Sequence, residues 1–530
     1  MAKADRLQKR VQQAAVSLRS GDVTLAVVLL QEVLQSDRKN VDALSMLGMI
    51  RARQGSYPEA AALLGDALKR SPRDADVHNN LGLVMQALGR HDEAIVSFET
   101  AIRIDSRQPL ARYNLACTLQ LLNLHHKAVR SFDLALELAP GDADAFNNRG
   151  NSLQALNRYV EAIASYDRAL ELRPVFAEAL SNRGNALQAT KRNQEAIDSY
   201  RRAIGIKADY ADARFNLGVA QLRLGEFDAG WRGYEWRWAR DDHAGQKRDF
   251  PQPQWSGEEE IAGKTILLHA EQGLGDTIQF ARFATMVAKR GARVVLEVQP
   301  ALKSLMSGIT GVDAVVARGD TLPEFDMQCP LLSLPFALNL KPEHFSADKA
   351  YLAAPSGMTS IVKDKWQSLV GAEPGHRVGI AWSGNRENVN DFNRSIALEN
   401  LLPLLATADT RWFSLQKDLR TGDAELLARH PEIVDCRNEL VNFADAGMVE
   451  HLDLVITVDT VVAHLAGAMG KPVWILLPFC ADWRWLENRD DSPWYPGARL
   501  FRQTAIGDWG GVIKRVQDQL AQPWIPATQN

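Results

Sequence analysis

The sequence contains 530 residues, of which 46% are hydrophobic and 24% charged, with a formal net charge of -4. This length exceeds one ordinary hydrophobic core, so we expect two to four domains. The slight negative charge argues against a nucleic-acid-binding protein, because such a protein needs a basic face to neutralise phosphates.

The cysteine pattern and the first residues of the chain bear on its compartment. None of the four cysteines lies in a C-x-x-C pair, so neither a disulfide framework nor a zinc site is indicated, and we predict a cytoplasmic protein. The chain opens with a charged helical pattern that lacks the apolar stretch of a signal peptide. No run of eighteen apolar residues occurs, so we predict no membrane span.

A 34-residue repeat runs through the first half of the chain. Small residues recur where two helices must cross closely, a bulky residue fills the space beside them, and a proline closes several units because it cannot continue a helix. The small residues of one position are Gly48, Gly82, Gly150, Gly184 and Gly218, and the bulky residues are Leu64, Phe98, Phe132, Tyr166 and Tyr200.

This spacing resembles the tetratricopeptide repeat family, with five clear units, a weaker unit before them and a truncated unit after them. The resemblance implies that residues 7–238 form a right-handed α superhelix with a concave groove. The alternative is a series of unrelated helical hairpins.

A second periodic feature lies on the first helix of each unit, about a quarter turn from its apolar stripe. The residues are Asn80, Asn114, Asn148, Asn182 and Asn216. An amide both donates and accepts hydrogen bonds, so a ladder of amides can pair with a peptide of any sequence. The array is similar to the superhelix of O-GlcNAc transferase, whose asparagine ladder holds substrate chains, which implies a protein or peptide acceptor. The alternative is that these amides bond within or between neighbouring helices.

The composition changes near residue 230, since all thirteen tryptophans occur from Trp231 onward. The aromatic cluster that begins there is expected to cover the end of the superhelix against the next domain. Residues 239–263 are charged and contain Pro251 and Pro253, so we predict that they form a linker.

The second half of the chain alternates short β-rich runs with helical patterns, which predicts an α/β fold with parallel sheets and helices on both faces. Within residues 264–355 the predicted strands are Thr265–His269, Arg293–Val298 and Ala314–Ala317. Within residues 376–522 they are Val378–Trp382, Trp412–Leu415, Leu454–Val458 and Val473–Leu477. Two doubly wound units in tandem place a cleft beyond the carboxyl ends of their strands. This layout resembles the GT-B glycosyltransferases, with a short N-terminal lobe and a C-terminal lobe that binds a nucleotide-sugar.

The clearest motif begins at Asp459, where a strand ends, a helix begins and a second strand follows. Unpaired backbone N–H groups near Thr460, Val461 and Val462 would present the positive end of the helix dipole to a diphosphate. The motif resembles the donor site of the family 9 heptosyltransferases, in which glycine usually stands at the position of Val461. The resemblance implies that His464 donates to a phosphate or to the leaving group. A capped, buried helix with a hydrogen-bonded histidine is the alternative.

A glycine-rich turn, from His269 to Asp276, directly follows the first strand and brings the backbone close to the donor at Gly275. It resembles the Gly-Asp signature of the heptosyltransferase N-terminal lobe, which implies that Asp276 removes the acceptor proton. The alternative is that Asp276 only caps a helix, and His269 and Glu271 are lesser candidates for the base.

Basic side chains are expected to face the diphosphate at neighbouring strand ends of the second lobe. Arg394 follows the first strand of that lobe and loosely occupies the place of the phosphate-binding lysine of heptosyltransferases. Gln416 and Lys417 follow the next strand and are similar to the glutamine and lysine that hold the donor in O-GlcNAc transferase. For each cation the alternative is an ordinary surface charge.

Two further observations concern the chemistry of the site. An aromatic-rich loop within residues 482–496 either stacks on a base or sugar or packs the seam between the lobes. No Asp-x-Asp pair follows a strand, so no metal site is predicted, and the helix dipole and basic side chains would stabilise the leaving group.

We therefore predict an enzyme, a metal-independent GT-B glycosyltransferase that uses a nucleotide-sugar as co-substrate and no cofactor. Its acceptor is predicted to be Ser or Thr of a protein held in the repeat groove. Two alternatives stay open: a non-catalytic repeat scaffold with a degenerate transferase domain, and a heptosyltransferase-like enzyme that acts on a glycan.

Overall fold

A computed structural model describes residues 2–241, 247–345, 350–354, 366, 368–371, 374–388, 390–438, 440 and 445–522. The chain divides into two compact units. The first unit consists of residues 1–190 and 205–208, and the second of residues 191–204 and 209–530. Among the described helices, none combines the length and the apolar character that crossing a bilayer requires.

The repeats fold as consecutive helices that are joined by short turns. The helices are α1 (Ala2–Arg19), α2 (Val23–Ser36), α3 (Val41–Arg53), α4 (Tyr57–Arg70), α5 (Ala75–Ala87), α6 (His91–Ile104), α7 (Pro109–Leu121), α8 (His125–Leu138), α9 (Ala143–Ala155), α10 (Tyr159–Leu172), α11 (Ala177–Ala189), α12 (Asn193–Ile206), α13 (Ala211–Arg223) and α14 (Phe227–Tyr234). From α1 to α10, each odd-numbered helix packs against the helix that follows it.

Local signals explain where the helices begin and how the chain reverses. Asp22, Asn40, Asp74 and Asp142 precede four of the helices, and each side chain accepts a hydrogen bond from the backbone N–H three residues later. The turn between the two helices of each unit contains one residue with a positive φ, a conformation that suits glycine and asparagine. These residues, spaced by 34, are Gly21, Gly55, Gly89, Asn123, Asn157, Lys191 and Gly225.

The glycines of the repeat register allow the paired helices to approach closely. A Cβ atom added at Gly82 would lie 2.5 Å from the ring of Phe98, and one at Gly150 would lie 2.5 Å from the ring of Tyr166. Both rings are fully buried. The pairing of small and bulky residues that the sequence predicted is therefore a direct contact between helices.

The first sheet of the α/β region has four parallel strands in the order β3-β2-β1-β4. Its strands are β1 (Thr265–His269), β2 (Arg293–Val298), β3 (Ala314–Ala317) and β4 (Met327–Pro330). Its helices are α15 (Leu274–Ala281), α16 (Ala284–Lys289), α17 (Lys303–Met306) and α18 (Leu334–Ala337). The first three strands agree with the prediction, whereas β4 was not predicted, because it has only four residues and ends in proline.

The second sheet has six parallel strands in the order β10-β9-β8-β5-β6-β7. Its strands are β5 (His376–Ala381), β6 (Thr410–Ser414), β7 (Ile433–Asp435), β8 (Leu454–Val458), β9 (Val473–Leu477) and β10 (Ala498–Arg502). Its helices are α19 (Asp391–Arg394), α20 (Asp423–Arg429), α21 (Val461–Ala468) and α22 (Trp509–Leu520). The second half is thus an α/β structure with two parallel sheets.

Part of the predicted linker has a defined structure. Gln254 forms a parallel bridge with Gln328 of β4, and the backbone N–H of Trp255 donates to the backbone oxygen of Gln328 (2.8 Å). Trp255 is fully buried in the core of the first lobe. Residues 253–255, which the sequence placed in a linker, therefore pair with the edge strand β4. This pairing buries Trp255, which a free linker would expose.

The last repeat helix, α14, packs against the α/β structure within the second compact unit. The indole Nε1 of Trp231 donates to the backbone oxygen of Leu340 (3.2 Å), and its ring lies 5.3 Å from that of Trp483. Phe227 meets Phe345 edge to face at 4.8 Å. The aromatic cluster that begins at Trp231 is therefore buried against the following domain, as its apolar character predicted.

Gly150→Ala is expected to destabilise the repeats by about 1–3 kcal/mol, because the buried ring of Tyr166 must move. Gly65→Ala is the matched control: Gly65 lies inside α4 with open space at its Cβ position, so alanine should stabilise the helix by roughly 1 kcal/mol. Urea denaturation followed by far-UV circular dichroism measures both changes. Shifts of the same sign and size in the two variants would contradict the packing described here.

Candidate functional site

The candidate site lies where the helix that follows β1 meets the helix that follows β8. Helix α15 begins directly after the glycine turn, and α21 begins directly after Asp459 and Thr460. The two helices pack against each other. Because both preceding strands end at the carboxyl edge of a parallel sheet, residues predicted from the two lobes come together here.

Asp276 lies at the start of α15 and is held from two sides. Its Oδ2 accepts a hydrogen bond from the backbone N–H of Gly273 (3.0 Å), which is the capping interaction, and its Oδ1 accepts one from Arg484 (2.5 Å). Burial raises the pKa of Asp276, against the attraction of Arg484. The side chain keeps 21% of its surface exposed, so the capping carboxylate remains accessible.

Arg484 connects the two lobes at this point. Besides Asp276, its guanidinium donates to Oδ1 of Asp482 (3.0 Å) and to Oε1 of Gln279 (2.8 Å). Burial opposes its charge, but the two carboxylates raise the pKa of Arg484 above its usual range. Arg484 was not predicted as part of the site, because its partners Asp276 and Gln279 lie about two hundred residues away and no local pattern marks it.

His464 lies one turn into α21 and is buried. Its Nδ1 lies 2.9 Å from the hydroxyl oxygen of Tyr495, and its ring stacks on Trp485 with centroids 5.6 Å apart. Gly275 lies against this ring, because a Cβ atom there would be 2.7 Å from Cδ2 of His464. Burial, with Arg484 nearby, lowers the pKa of His464 to about 3, so the imidazole is neutral. Close helix packing therefore requires the glycine at position 275, whether or not a donor binds there.

The start of α21 offers fewer unpaired amides than the sequence suggested. The backbone N–H of Val462 donates to Oγ1 of Thr460 (3.3 Å), and that of Ala463 donates to the backbone oxygen of Thr460 (3.0 Å). Thr460 therefore caps its own helix. Val461 and Val462 are half-buried, so their side chains also flank this position.

Arg394 reaches the carboxyl end of β8 from the loop after β5. Its Nη1 donates to the backbone oxygen of Asp459 (3.3 Å), immediately before the start of α21. The guanidinium also lies against Gly384, where a Cβ atom would be 2.8 Å from Nη2. Arg394 is thus positioned beside Thr460, at the place where a diphosphate was expected.

Gln416 and Lys417 differ in their surroundings. The amide oxygen of Gln416 accepts hydrogen bonds from the backbone N–H groups of Trp382 (3.0 Å) and Ser383 (2.9 Å), and its nitrogen donates to the backbone oxygen of Ser383 (3.1 Å). In this conformation the side chain of Gln416 joins the loops after β5 and β6. Its amide is therefore not available to a nucleotide-sugar. Lys417 is exposed.

A second ion pair, which was not predicted from the sequence, joins the segment after β5 to the segment after β6. Arg420 donates to Oδ2 of Asp391 (2.5 Å) and to the backbone oxygen of Gly384 (2.9 Å). Asp391 also accepts a hydrogen bond from the hydroxyl of Ser395 (2.6 Å). These contacts hold α19, the short helix that ends at Arg394, and so fix the position of Arg394 at the site.

The charges at the site are more balanced than the expected cationic pocket. Asp276, Asp459 and Asp482 lie close to Arg394 and Arg484, so carboxylates outnumber guanidinium groups in this cluster. Burial, reinforced by Asp482, raises the pKa of Asp459 to about 6. Among the described residues, no group of three His, Cys, Asp or Glu side chains is arranged to hold a metal ion.

The turn that leads to Asp276 is fixed by the segment after the last repeat. Nη2 of Arg237 donates to Oε1 of Glu271 (3.1 Å) and to the hydroxyl of Ser333 (2.7 Å), and the arginine is fully buried. Burial raises the pKa of Glu271 to about 7, although Arg237 opposes the shift. Glu271, a lesser candidate for the base, is thus committed to a structural ion pair.

The aromatic loop within residues 482–496 packs the seam between the lobes. Trp485, Trp494 and Tyr495 are at most 1% exposed. The ring of Trp494 stacks on Phe345 at 4.0 Å, and its Nε1 donates to the backbone oxygen of Arg484 (2.6 Å). Of the two interpretations of this loop, packing describes its contacts in this structure.

The repeated asparagines take part in hydrogen bonds between neighbouring repeats of the first unit. The side-chain nitrogens of Asn114 and Asn182 donate to Oδ1 of Asn79 (2.9 Å) and Asn147 (3.1 Å). That of Asn148 donates to the hydroxyl of Tyr113 (3.0 Å). Asn80 and Asn216, in the first and second unit respectively, are half-buried like the other three. The contacts between helices, which were the alternative to peptide binding, are therefore present for Asn114, Asn148 and Asn182.

The tetratricopeptide repeat family matches the chain at residues 12–64, 45–109, 113–174 and 147–211. These ranges fall on helices α1 to α13 and agree with the 34-residue register. The prediction of tetratricopeptide repeats in the first half of the chain is confirmed.

One curated relative is Protein FlbA of Caulobacter vibrioides, which is 24% identical over 324 residues. The match covers 56% of this chain and 53% of the relative. The chain therefore spans about half the length of the curated relative it matches.

Solved structures of repeat proteins are similar to part of the chain. YrrB, described as a tetratricopeptide repeat protein with an unusual peptide-binding site, is 21% identical and covers 35% of this chain and 95% of its own, with a TM-score of 0.32. MamA is 21% identical and covers 31% and 96%, with a TM-score of 0.30. Pseudomonas aeruginosa PilF is 19% identical and covers 40% and 97%, with a TM-score of 0.38.

The comparisons and the strand topology together define the architecture. The family match identifies the helices of the first half, and the parallel pairing of ten strands defines the second half as α/β. The N-terminal part of the chain thus consists of tetratricopeptide repeats in an α superhelix, and an α/β region with two parallel sheets follows it.

Proposed function

We propose that the chain transfers a sugar from a nucleotide-sugar to a Ser or Thr of a protein, with a GT-B-like arrangement of its two sheets. The observation that carries the proposal is the convergence of Asp276 from one lobe with Arg394, Thr460 and His464 from the other. A carboxylate, a guanidinium, a helix start and a neutral imidazole are the groups that such a transfer uses.

In this proposal the diphosphate of the donor binds beside the start of α21. Arg394 compensates its charge, and the N–H of the neutral His464 donates to a phosphate oxygen. The guanidinium supplies the stabilisation that a metal ion gives to leaving phosphates in other enzymes. Lys417 adds a further positive charge on the next strand end.

Asp276 acts as the base. It takes the proton from the acceptor hydroxyl while the hydroxyl oxygen bonds to the anomeric carbon of the sugar. The bond from that carbon to the diphosphate oxygen breaks, and the diphosphate leaves with the electron pair. Arg484 compensates the charge of Asp276 before the donor binds, so the lobes must separate slightly to free the carboxylate for this step.

The acceptor binds along the repeated asparagines. In the described part of the chain, the amide oxygens of Asn114 and Asn182 accept no hydrogen bond and are not enclosed, because only their nitrogens are used between repeats. An unused carbonyl oxygen accepts a hydrogen bond from a peptide N–H without selecting a side chain. This would suit an enzyme that modifies many protein sequences.

A second function, a repeat scaffold whose transferase domain is inactive, is favoured by one specific observation. Asp276 is paired with Arg484, and Gly275 is packed against His464, so the lobes meet where a donor would bind. Nucleotide binding and turnover separate this function from the enzyme.

Arg394→Ala is expected to weaken nucleotide binding about 5- to 30-fold, since it removes a charged contact worth roughly 1–2 kcal/mol. Thermal-shift titrations with millimolar UDP, ADP, GDP and dTDP first identify the nucleotide that the protein binds. Arg429→Ala is the matched control, because it removes the same charge from an exposed side chain of the same lobe. The absence of stabilisation by every nucleotide would favour the scaffold.

Asp276→Asn is expected to abolish transfer and to leave nucleotide binding intact, because asparagine can still cap α15 but cannot take a proton. Because the pKa of Asp276 is raised, the base should become protonated at a pH higher than 3.8, the ordinary pKa of an aspartate. Turnover is therefore expected to fall as the pH is lowered, and to begin falling before pH 3.8 is reached. Release of the nucleoside diphosphate measures both effects. Asp482→Asn, which also removes a carboxylate from Arg484, is the control, and an equal loss in both variants would argue against Asp276 as base.

The triple change Asn114→Ala, Asn148→Ala and Asn182→Ala is expected to weaken peptide binding at least about fivefold, through loss of hydrogen bonds worth on the order of 1 kcal/mol each. Fluorescence anisotropy with a labelled mixture of Ser- and Thr-containing 15-residue peptides measures the affinity. Glu99→Ala with Glu137→Ala, on exposed positions of second helices, is the control. Unchanged affinity in the triple variant, with the repeats still folded, would assign the ladder to contacts between helices alone.

A further inference from the structure

The four-stranded sheet has one apolar face and one face that becomes polar at its carboxyl end. Alternate residues of a strand share a face, so Leu267 and His269 of β1 lie on the same side. His269 is in register with Glu297 of β2, and Leu267 is in register with Gln328 of β4. Three polar side chains, His269, Glu297 and Gln328, therefore occupy one face; we call them the polar trio.

The polar trio is buried. His269, Glu297 and Gln328 are 3%, 1% and 7% exposed. Nε2 of His269 lies 2.9 Å from the amide oxygen of Gln328, and this oxygen can only accept, so Nε2 carries the proton. Burial lowers the pKa of His269 to about 4, so the ring is neutral and its Nδ1 is an acceptor. Nδ1 is buried, and no donor among the described residues reaches it.

The cover over the polar trio comes from residues 248–255, here called the strap. Arg248 forms an ion pair with the carboxylate of Glu297, and its guanidinium lies over the ring of Phe250 at 4.4 Å. Phe250 contacts the ring of His269 at 5.3 Å and that of Phe325 at 5.6 Å. The far end of the strap pairs with β4 through Gln254.

The strap is held unevenly along its length. Its far end is fixed by backbone pairing and by the buried Trp255, whereas its near end depends on Arg248, whose side chain is 32% exposed, and on Phe250. An open pocket of about 570 Å³ is lined by Gln252 of the strap, Thr265 and residues 322–326. Displacement of the near end would therefore break side-chain contacts only and leave the backbone pairing of the far end intact.

The charge and hydrogen-bonding groups of the polar trio determine which side chain could take the place of Arg248. A carboxylate with only 2% of its side chain exposed requires a positive partner, because an unpaired charge in such a place is costly. The unsatisfied Nδ1 of His269 requires an N–H donor. A guanidinium has five N–H donors in a planar fork, so it can serve both groups at once, whereas a lysine ammonium is a single compact charge.

We propose that the polar trio is an interaction site for an arginine side chain of a partner polypeptide, and that Arg248 of the strap occupies it in this conformation. An arriving arginine displaces the near end of the strap and bonds to Glu297 and His269. The site lies outside the group of residues assigned to sugar transfer, and it neither requires nor contradicts that reaction.

Diethyl pyrocarbonate tests the proposal, because it modifies neutral imidazole only where it can reach the ring. Peptide-resolved mass spectrometry follows His269 at pH 7 among the eleven histidines of the chain. Arg248→Ala is expected to speed modification of His269 at least about tenfold, while Lys247→Ala, an exposed neighbour, leaves the rate unchanged. In Arg248→Ala, N-acetyl-arginine amide at millimolar concentration is expected to restore protection, and the uncharged N-acetyl-citrulline amide is expected to give none.

Two results would overturn the proposal. Equal rates for His269 in Arg248→Ala and in the wild type would identify the strap as a permanent cover. Equal protection by the arginine and citrulline compounds, or protection by neither, would show that the site does not select a cation. Thermal melting verifies that each variant is folded, and Phe250→Ala, which loosens the same end of the strap, replaces Arg248→Ala if that variant does not fold. Because the readout uses no nucleotide-sugar, it is independent of whether the chain is a transferase.

Discussion

The buried guanidinium of Arg484 is the interaction on which the candidate site depends. It holds Asp276 and Gln279 of one lobe and Asp482 of the other at hydrogen-bonding distance. Removing Arg484 would leave the carboxylates of Asp276 and Asp482 without this positive partner, which is costly in a protein interior. The same ion pairs therefore fix the relation of the lobes and the position of the carboxylate that could act on an acceptor. Arg484 therefore contributes both to the contact between the lobes and to the position of Asp276.

Much of the fold could be predicted because its signals are local. The 34-residue register places Gly150 against Tyr166, and a β-rich run followed by a glycine turn defines β1 and α15. The missed elements have weak local signals: β4, β7 and β10 are short or follow irregular loops. The linker prediction was incomplete because prolines mark a turn but do not reveal that the residues after it pair with a distant strand.

The candidate site was only partly predictable for a related physical reason. The periodicity of the asparagines is visible in the sequence, but the direction of each amide depends on a side chain such as Asn79 or Tyr113 in the preceding repeat. The site contains both acidic and basic side chains instead of the expected cationic pocket. Asp482 and Arg484 come from a loop that was assessed only for its aromatic residues, so their charges were not anticipated. The net charge of the site depends on side chains from both lobes, so no single sequence motif predicts it.

The pairing of residues 253–255 with β4 has a consequence for how the chain can be divided. This segment hydrogen-bonds along the outer side of β4, where the sheet would otherwise end in exposed backbone groups. Unprotected strand edges promote association between molecules. An excised α/β fragment that starts at β1 would therefore tend to self-associate and would lack the indole that fills its core. The boundary of an independently soluble piece lies upstream of the strap, closer to the repeats than the prolines suggest.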